Sequence, residues 1–247
     1  MTKGAKYLEE LANLKGSLEE YLKKNSGLPG PRGNLELLIT AIENLPEEKF
    51  APFWKYTADI AQVNTPEEYL YMFPVVSTGY HITKNDKAGW ARIRAAASDT
   101  RWRTREAVTM ATIYTGLKDF DFLLKEMQSW AKGNLYERRA SAAALCEPKL
   151  LDKEEKTVAV LNLLKEITDD IPNHSKDEEG FEALVKGFSF CWSVAICGAP
   201  KEGKRIFETL LKHEDKFIKK IVKENLSKNR LKKIDEVWVN KMIKSIK

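Results

Sequence analysis

The sequence predicts an all-α protein, folded as an α-solenoid (a superhelix) of about six helical pairs. Three observations support this prediction. Apolar residues recur at helical spacing in nearly every segment, strand signals are weak throughout, and one local pattern returns along the chain. A pair of short amphipathic helices buries its apolar face only against a neighbouring pair, so repeated pairs are expected to stack.

The first expected element is a single helix over 5–24, whose leucines form one stripe at i, i+3, i+4 and i+7. We expect segment 1–26 to cap the N-terminal end of the stack. The stretch 25–34 then interrupts the chain as a fixed corner, because its two prolines and three glycines do not continue a helix. Asn34 is placed to cap the next helix, which ends at Pro46.

The rest of the chain is expected to form short helices joined by turns. Thr65, Pro66 and Glu67 supply a cap, a first-position proline and an acid in the first turn. Segment 232–247 is expected to cap the C-terminal end, and 1–247 to form a single domain. The remaining helices are expected over 47–61, 66–81 (kinked at Pro74), 87–97, 101–116, 119–132, 135–146, 152–170, 177–198, 201–213, 215–227 and 234–246.

Composition excludes several classes of protein. Of the 247 residues, 43% are hydrophobic and 10% aromatic, which excludes a disordered chain. The longest stretch without a charged residue, Tyr69–Thr83, has 15 residues and contains Pro74 and Gly79, so no membrane span is expected. The N-terminus lacks the apolar run of a signal peptide. The three cysteines are too few for a disulfide scaffold and are expected as buried thiols in the reducing cytoplasm.

The charge of the chain is unevenly distributed. The net charge is +5, but residues 201–247 contain 15 Lys and Arg against 7 Asp and Glu, a net charge of +8. Residues 1–200 therefore carry −3. We expect a basic surface toward the C-terminus, which would favour an acidic partner; the alternative is that these charges only keep the protein in solution.

One sequence pattern occurs three times. Segment 98–112 (SDTRWRTREAVTMAT) combines a capping Asp, the bulky Trp102 and an arginine one turn later. Segment 132–146 repeats the pattern with Tyr136 in place of the tryptophan, and 213–225 is a degenerate third copy. In such a unit the bulky residue is expected to pack against the first helix of its pair, while a run of alanines lets the neighbouring pair approach.

The pattern D-x-x-W-x-x-R-E-A, followed by alanines, resembles the HEAT repeat. SDTRWRTREA and GNLYERRASA resemble two successive repeat openings in the HEAT-like proteins of the alkylpurine DNA glycosylase superfamily, the DNA alkylation repair family. Segments 28–37 (LPGPRGNLEL), 187–195 (GFSFCWSVA) and 221–231 (IVKENLSKNRL) also resemble a related branch of bacterial and archaeal HEAT-like proteins. The resemblance covers 28–232 and implies a helical-repeat fold, which by itself implies no activity because such repeats serve many functions.

The glycosylase members of that superfamily hold duplex DNA in a basic concave channel, where an Asp one turn after a Trp faces the damaged nucleotide. This Trp-x-x-x-Asp motif is missing from the helices before 98–112. Asp86 precedes Trp90 by four residues, which is the reverse order, and Trp130 is followed by Asn134, an amide. We therefore expect no catalytic residue, and glycosylase activity stays as an alternative.

Basic residues supply the candidate binding site. Equivalent positions of stacked repeats lie side by side, so Lys and Arg at these positions would form a strip that follows a phosphate backbone. For Arg105 and Arg139 the favoured alternative is pairing with carboxylates of a neighbouring repeat. The tryptophans are expected in the core, with Trp90 as the candidate for base stacking. The candidate nucleic-acid-binding residues are Arg92, Arg94, Arg101, Arg103, Arg138, Lys219, Lys220, Lys223, Lys228 and Arg230.

No metal or cofactor is expected, because His81, His174 and His213 are far apart in sequence and no metal-ligand spacing occurs. The acids at 169–170 and 177–179 are expected to be solvated and to cap helices rather than to form a catalytic pair. The sequence therefore predicts a non-enzymatic scaffold that contacts nucleic acid, as duplex DNA or another form, through a basic concave strip. The alternatives are a scaffold for a protein partner and the glycosylase.

Overall fold

The computed structural model describes residues 2–246, and in these residues it contains thirteen α-helices and no β-strand. The all-α prediction is confirmed. The chain divides into two compact units, Met1–Thr115 and Gly116–Lys247.

The first unit contains six helices, of which the last continues into the second unit. The core of this unit is its fourth helix, in which every residue from Glu68 to Gly79 is buried and which packs against the second, third and fifth helices. Two 3₁₀ helices, Glu47–Lys49 and Ala51–Lys55, precede it. The six helices are α1 (Lys3–Ala12), α2 (Leu18–Lys24), α3 (Leu35–Asn44), α4 (Pro66–His81), α5 (Lys87–Ala97) and α6 (Trp102–Lys118).

The expected single helix over 5–24 is wrong, because two helices occupy this region. α1 ends where Asn13 Nδ2 donates to the carbonyl of Glu9 at 2.9 Å. α2 begins after Ser17, whose hydroxyl accepts the backbone N–H of Glu20 at 3.4 Å. The stripe of leucines continues across this break, so the segment expected as one capping helix contains two.

The expected helix over 47–61 is also wrong. The two 3₁₀ helices stand in its place, and Pro52 offers no N–H to an α-helical ladder. Phe50 and Phe53 are buried against Phe73 of α4, with ring centroids 5.4 and 6.3 Å away. The aromatic spacing that predicted an α-helix instead marks side chains that turn toward α4.

The second unit contains seven helices. Short 3₁₀ helices at Pro148–Leu150, Ile171–Asn173 and Leu210–Lys212 follow three of them. The seven helices are α7 (Phe120–Trp130), α8 (Leu135–Leu145), α9 (Glu154–Asp170), α10 (Phe181–Gly198), α11 (Pro200–Thr209), α12 (Lys216–Leu226) and α13 (Asn229–Ser245).

α10 is the central helix of the second unit. It packs against α8 and α12 and also contacts α9, α11 and α13. Its buried Trp192 donates through Nε1 to Thr168 Oγ1 of α9 at 3.1 Å. Gly187 lets α8 approach closely, because a Cβ at this position would lie 2.9 Å from Cγ of Arg139. In the described chain α10 alone is long and apolar enough to cross a membrane, by length and composition only, and 61% of it is buried inside the unit.

α13 starts at Asn229, before the expected helix over 234–246, and its helical backbone is interrupted at Asp235. Asp235 has non-helical φ and ψ angles of −159° and 87°, and its carboxylate accepts the backbone N–H of Trp238 at 2.9 Å. Asp235 therefore acts as the N-cap of the second half of α13. The apolar side chains of that half, Trp238, Val239 and Met242, are buried in the second unit.

The cysteines lie in the second unit as free thiols. Cys146 and Cys191 are buried, as expected, while Cys197 is half-buried. Burial raises the pKa of the Cys146 and Cys197 thiols, which lowers their reactivity near neutral pH.

Candidate functional site

Arg101 lies in the interior of the first unit, where its side chain is 1% exposed. Its guanidinium donates to both carboxylate oxygens of Asp99, at 2.9 and 2.7 Å. It also donates to the carbonyls of Tyr56 and Ala61 at 2.9 and 3.1 Å and lies over the Tyr71 ring. Because these partners occupy the guanidinium and exclude solvent, the prediction that Arg101 contacts nucleic acid is corrected to a structural role.

Arg103 is also buried, with its side chain 3% exposed. It donates to the carbonyl of Gly30 at 2.9 Å and to Asn64 Oδ1 at 3.2 Å, and its Nε lies 3.8 Å from the buried carboxylate of Glu68. These contacts hold the 27–33 corner against α4 and α6. The prediction that Arg103 contacts a phosphate is therefore corrected as well.

The α5 arginines differ from this buried pair. Arg92 is exposed and lies 5.9 Å from the centroid of the Trp54 ring, and Arg94 is half-buried. Trp90 is only 6% exposed, which removes it as a base-stacking platform. Trp102, expected to pack within its repeat, is instead 46% exposed, with the Arg103 guanidinium 4.4 Å from its ring centroid.

Arg138 of α8 belongs to an ion-pair network at the connection between α9 and α10. Its guanidinium donates to Asp170 and lies 3.2 Å from His174 Nε2. Nε2 of His174 lies 3.0 Å from Oδ2 of Asp170, and Nδ1 of His174 lies 2.9 Å from Oε2 of Glu178. Hydrogen bonds from Asn173 and Arg138 lower the pKa of Asp170 to about 2. Asp170 therefore holds Arg138 in an ion pair rather than capping a helix, and Arg138 is committed to this network.

The lysines of α12 form an exposed face. Lys216, Lys219, Lys220 and Lys223 recur at i, i+3, i+4 and i+7, which places them on the side opposite the buried residues of this helix. Lys219, at one edge of this face, pairs with Glu214 at 2.7 Å. Lys220 and Lys223 are exposed, and among the described residues neither has an ion-pair partner.

Two further candidates lie just after α12. Lys228 is half-buried and lies 3.7 Å from Glu224, which partly neutralises its charge. Arg230, in the first turn of α13, is exposed and lines a separate cavity of about 400 Å³ beside Cys197. The C-terminal candidates therefore lie on neighbouring helices of one unit, and Lys220 and Lys223 are exposed cations among them that have no ion-pair partner in the described residues.

A groove of about 550 Å³ lies between α10 and α12. Its aromatic side chains, Phe181 and Phe217, meet edge to face with centroids 4.8 Å apart. Two carboxylates, Glu182 and Glu224, line it as well. The apolar and cationic lining residues are Phe181, Val185, Phe217, Lys176, Lys186 and Lys220.

Sequence reasoning missed Lys176, Lys186 and Phe217. Lys186 lies in α10 and Lys176 in the connection before it, so only the packing of α10 beside α12 brings them to Lys220. Phe217 precedes Lys220 by three residues on one helix face, and this spacing is the one signal that could have indicated it.

The described residues contain no group of three His, Cys, Asp or Glu side chains that could hold a metal ion. Asp86, the carboxylate nearest to a glycosylase motif, is exposed, and its Oδ1 accepts the backbone N–H of Gly89 at 2.9 Å. This contact is that of a helix cap at the start of α5.

Comparison of the chain with protein-family models, curated proteins and solved structures finds no match.

Proposed function

We propose that the second unit is a nucleic-acid-binding module and that the lysine face of α12 contacts the phosphate backbone. The observation that carries the proposal is the pair of exposed lysines, Lys220 and Lys223, on one helix face without ion-pair partners among the described residues. An unpaired lysine releases counterions from a polyanion when it binds, and this release supplies most of the affinity for nucleic acid.

The charges around this face favour a long anion over a small one. Residues 201–247 carry a net charge of +8, and Lys232 and Lys233 on α13 are exposed beyond Arg230. Lys186 faces the same groove as Lys220 from α10. A phosphate backbone presents regularly spaced negative charges, which suits cations distributed over several helices.

We propose that the helices are stacked as HEAT-like pairs, the solenoid arrangement expected from the repeats. Within the second unit α8, α10 and α12 are neighbours, and α9 packs against α11. Chain neighbours such as α9 and α10, or α12 and α13, are also in contact. Packing of a helix against both its next and its second-next neighbour is typical of stacked helical pairs.

A titration of the whole protein against fluorescein-labelled duplex and single-stranded oligonucleotides, followed by fluorescence anisotropy, tests the binding proposal. For about four phosphate contacts, raising the salt from about 50 to about 200 mM is expected to weaken duplex binding by about 10²-fold. Undetectable binding, or an affinity independent of salt, would contradict the proposal. Salt-dependent binding of an acidic polypeptide in place of both oligonucleotides would favour a protein partner instead.

A further inference from the structure

We infer that the groove between α10 and α12 takes one unpaired nucleobase of a single-stranded nucleic acid, stacked on Phe217, while Lys186 and Lys220 contact the phosphates beside it. This inference rests on the proposed function and names the form of nucleic acid that the second unit prefers.

The aromatic lining of the groove provides a surface on which a base can stack. Phe217 is half-buried at the start of α12, and its ring meets the ring of the buried Phe181 at an interplanar angle of 77°. Lys216 Nζ lies 5.0 Å from the centroid of the Phe217 ring. Phe217 thus packs against a second ring and contacts a cation, while it still lines the groove. A fixed, accessible ring of this kind is a stacking surface for a base of any type.

The size and polarity of the groove suit a nucleobase. Its volume of about 550 Å³ lies within the range of about 300–1,000 Å³ that is typical of small-ligand sites. Val185 and the two phenylalanines supply apolar surface that a phosphate backbone cannot use. A duplex keeps its bases stacked inside the helix, whereas a single strand exposes their faces.

The charges around the groove are placed where the phosphates of a bound strand would lie. Lys186 and Lys176 approach the groove from the α10 side and Lys220 from the α12 side, so cations flank the apolar surface on both sides. Of the two carboxylates, Glu224 lies 3.7 Å from Lys228. Glu182 remains at the groove as an acceptor for the amino group of a base. A nucleotide in a strand matches this arrangement of groups, because its base has an apolar face and a polar edge and lies between two negatively charged phosphates.

The test compares three labelled probes of equal length by anisotropy: a single strand, the same strand with abasic sites in place of its bases, and a duplex. The abasic strand retains the phosphates and loses the bases, with both their stacking faces and their hydrogen-bonding edges. The wild-type protein is expected to bind the base-bearing strand about 5- to 150-fold more tightly than the abasic strand, the effect of one stacked base. Phe217→Leu is expected to abolish that difference, and Phe217→Trp to retain it.

Phe190→Leu is the matched control, because Phe190 is a half-buried phenylalanine of α10 outside the groove lining, and it should leave the preference unchanged. If abasic and base-bearing strands bind equally and with the same salt dependence, the base-stacking inference is overturned while the proposed function stands. If no probe binds, both the base-stacking inference and the proposed function are contradicted. Binding of polyglutamate that Phe217→Leu weakens, with no preference for bases, would assign the groove to an acidic protein partner and overturn the inference.

Discussion

Asn225 of α12 joins its helix to α10 by accepting the backbone N–H of Ser193 at Oδ1, at a distance of 2.8 Å. Its Nδ2 donates to the carbonyls of Phe188 and Ile221, each at 2.8 Å. The side chain is fully buried, so the protein itself satisfies its amide. Because α10 carries Lys186 and α12 carries Lys220, this contact fixes the separation of the two helix backbones from which these cations extend.

Asn225→Ala is expected to destabilise the second unit by about 1–3 kcal/mol, because the alanine removes hydrogen bonds that no water can replace in this buried position. The free energy of unfolding in urea, followed by tryptophan fluorescence, measures the change. Asn240→Ala serves as the control, since Asn240 is exposed on α13 and its loss should cost less than about 0.5 kcal/mol. Equal stability of the Asn225 and Asn240 variants would contradict the role of this amide.

Arg101→Met is expected to destabilise the first unit by about 3–5 kcal/mol, because it leaves the nearly buried Asp99 carboxylate without its partner. Arg92→Met removes the same charge from an exposed site and should change stability by less than about 0.5 kcal/mol. Thermal and urea unfolding distinguish the two variants. An Arg101 variant that stays fully stable but loses nucleic-acid affinity would instead restore the original prediction for this residue.

Gly79→Ala is expected to destabilise the first unit by about 1–3 kcal/mol or more, although alanine is the better helix former. A Cβ at Gly79 of α4 would lie 2.5 Å from the Cα and the carbonyl oxygen of Ala111 in α6, and backbone atoms cannot move aside as a side chain can. Gly16→Ala, where a Cβ would meet nothing within 4 Å, is the control and should be neutral or slightly stabilising. A Gly79 variant as stable as the Gly16 variant would show that α4 and α6 are not packed this closely.

Asp170→Asn is expected to change how stability depends on pH. The pKa of Asp170 is about 2 in the folded protein and 3.8 as an ordinary side chain. A lowered pKa stabilises the fold above pH 3.8, and that contribution is lost as the pH falls toward 2. The variant should therefore be less stable than the wild type at pH 7, with the difference shrinking between pH 4 and pH 2. The midpoint of urea unfolding, measured at several pH values in this range, gives the difference in stability, and Asp177→Asn serves as an exposed control. A difference that does not depend on pH would contradict the lowered pKa of Asp170.

Local signals in the sequence predicted most helices, because caps and periodicity act within a few residues. Asn34 and Thr65 cap α3 and α4 through backbone N–H groups three residues on, as their side chains allow. The break in the 5–24 segment was not predictable from periodicity, because its leucines stay in phase on both sides of Ser17.

The candidate site was less predictable than the helices. Arg101 and Arg103 have the sequence surroundings of exposed cations, and their burial depends on carbonyl partners some 40 to 70 residues away, at Ala61 and Gly30. The sequence did indicate Lys220 and Lys223 as candidate residues, and the structure places them on one face of α12. Their neighbour Lys186 became apparent only from the packing of α10 beside α12.

The salt dependence of oligonucleotide binding by Lys220→Gln/Lys223→Gln, beside Lys149→Gln/Lys153→Gln, tests the central claim most directly. Both double variants remove two positive charges from exposed lysines of the second unit, but only the first pair lies on the α12 face. The α12 variant should lower the slope of log K against log salt by about two, because each lost phosphate contact lowers it by about one, while the control keeps the wild-type slope. Equal slopes for the two variants would contradict the assignment of nucleic-acid binding to the lysine face of α12.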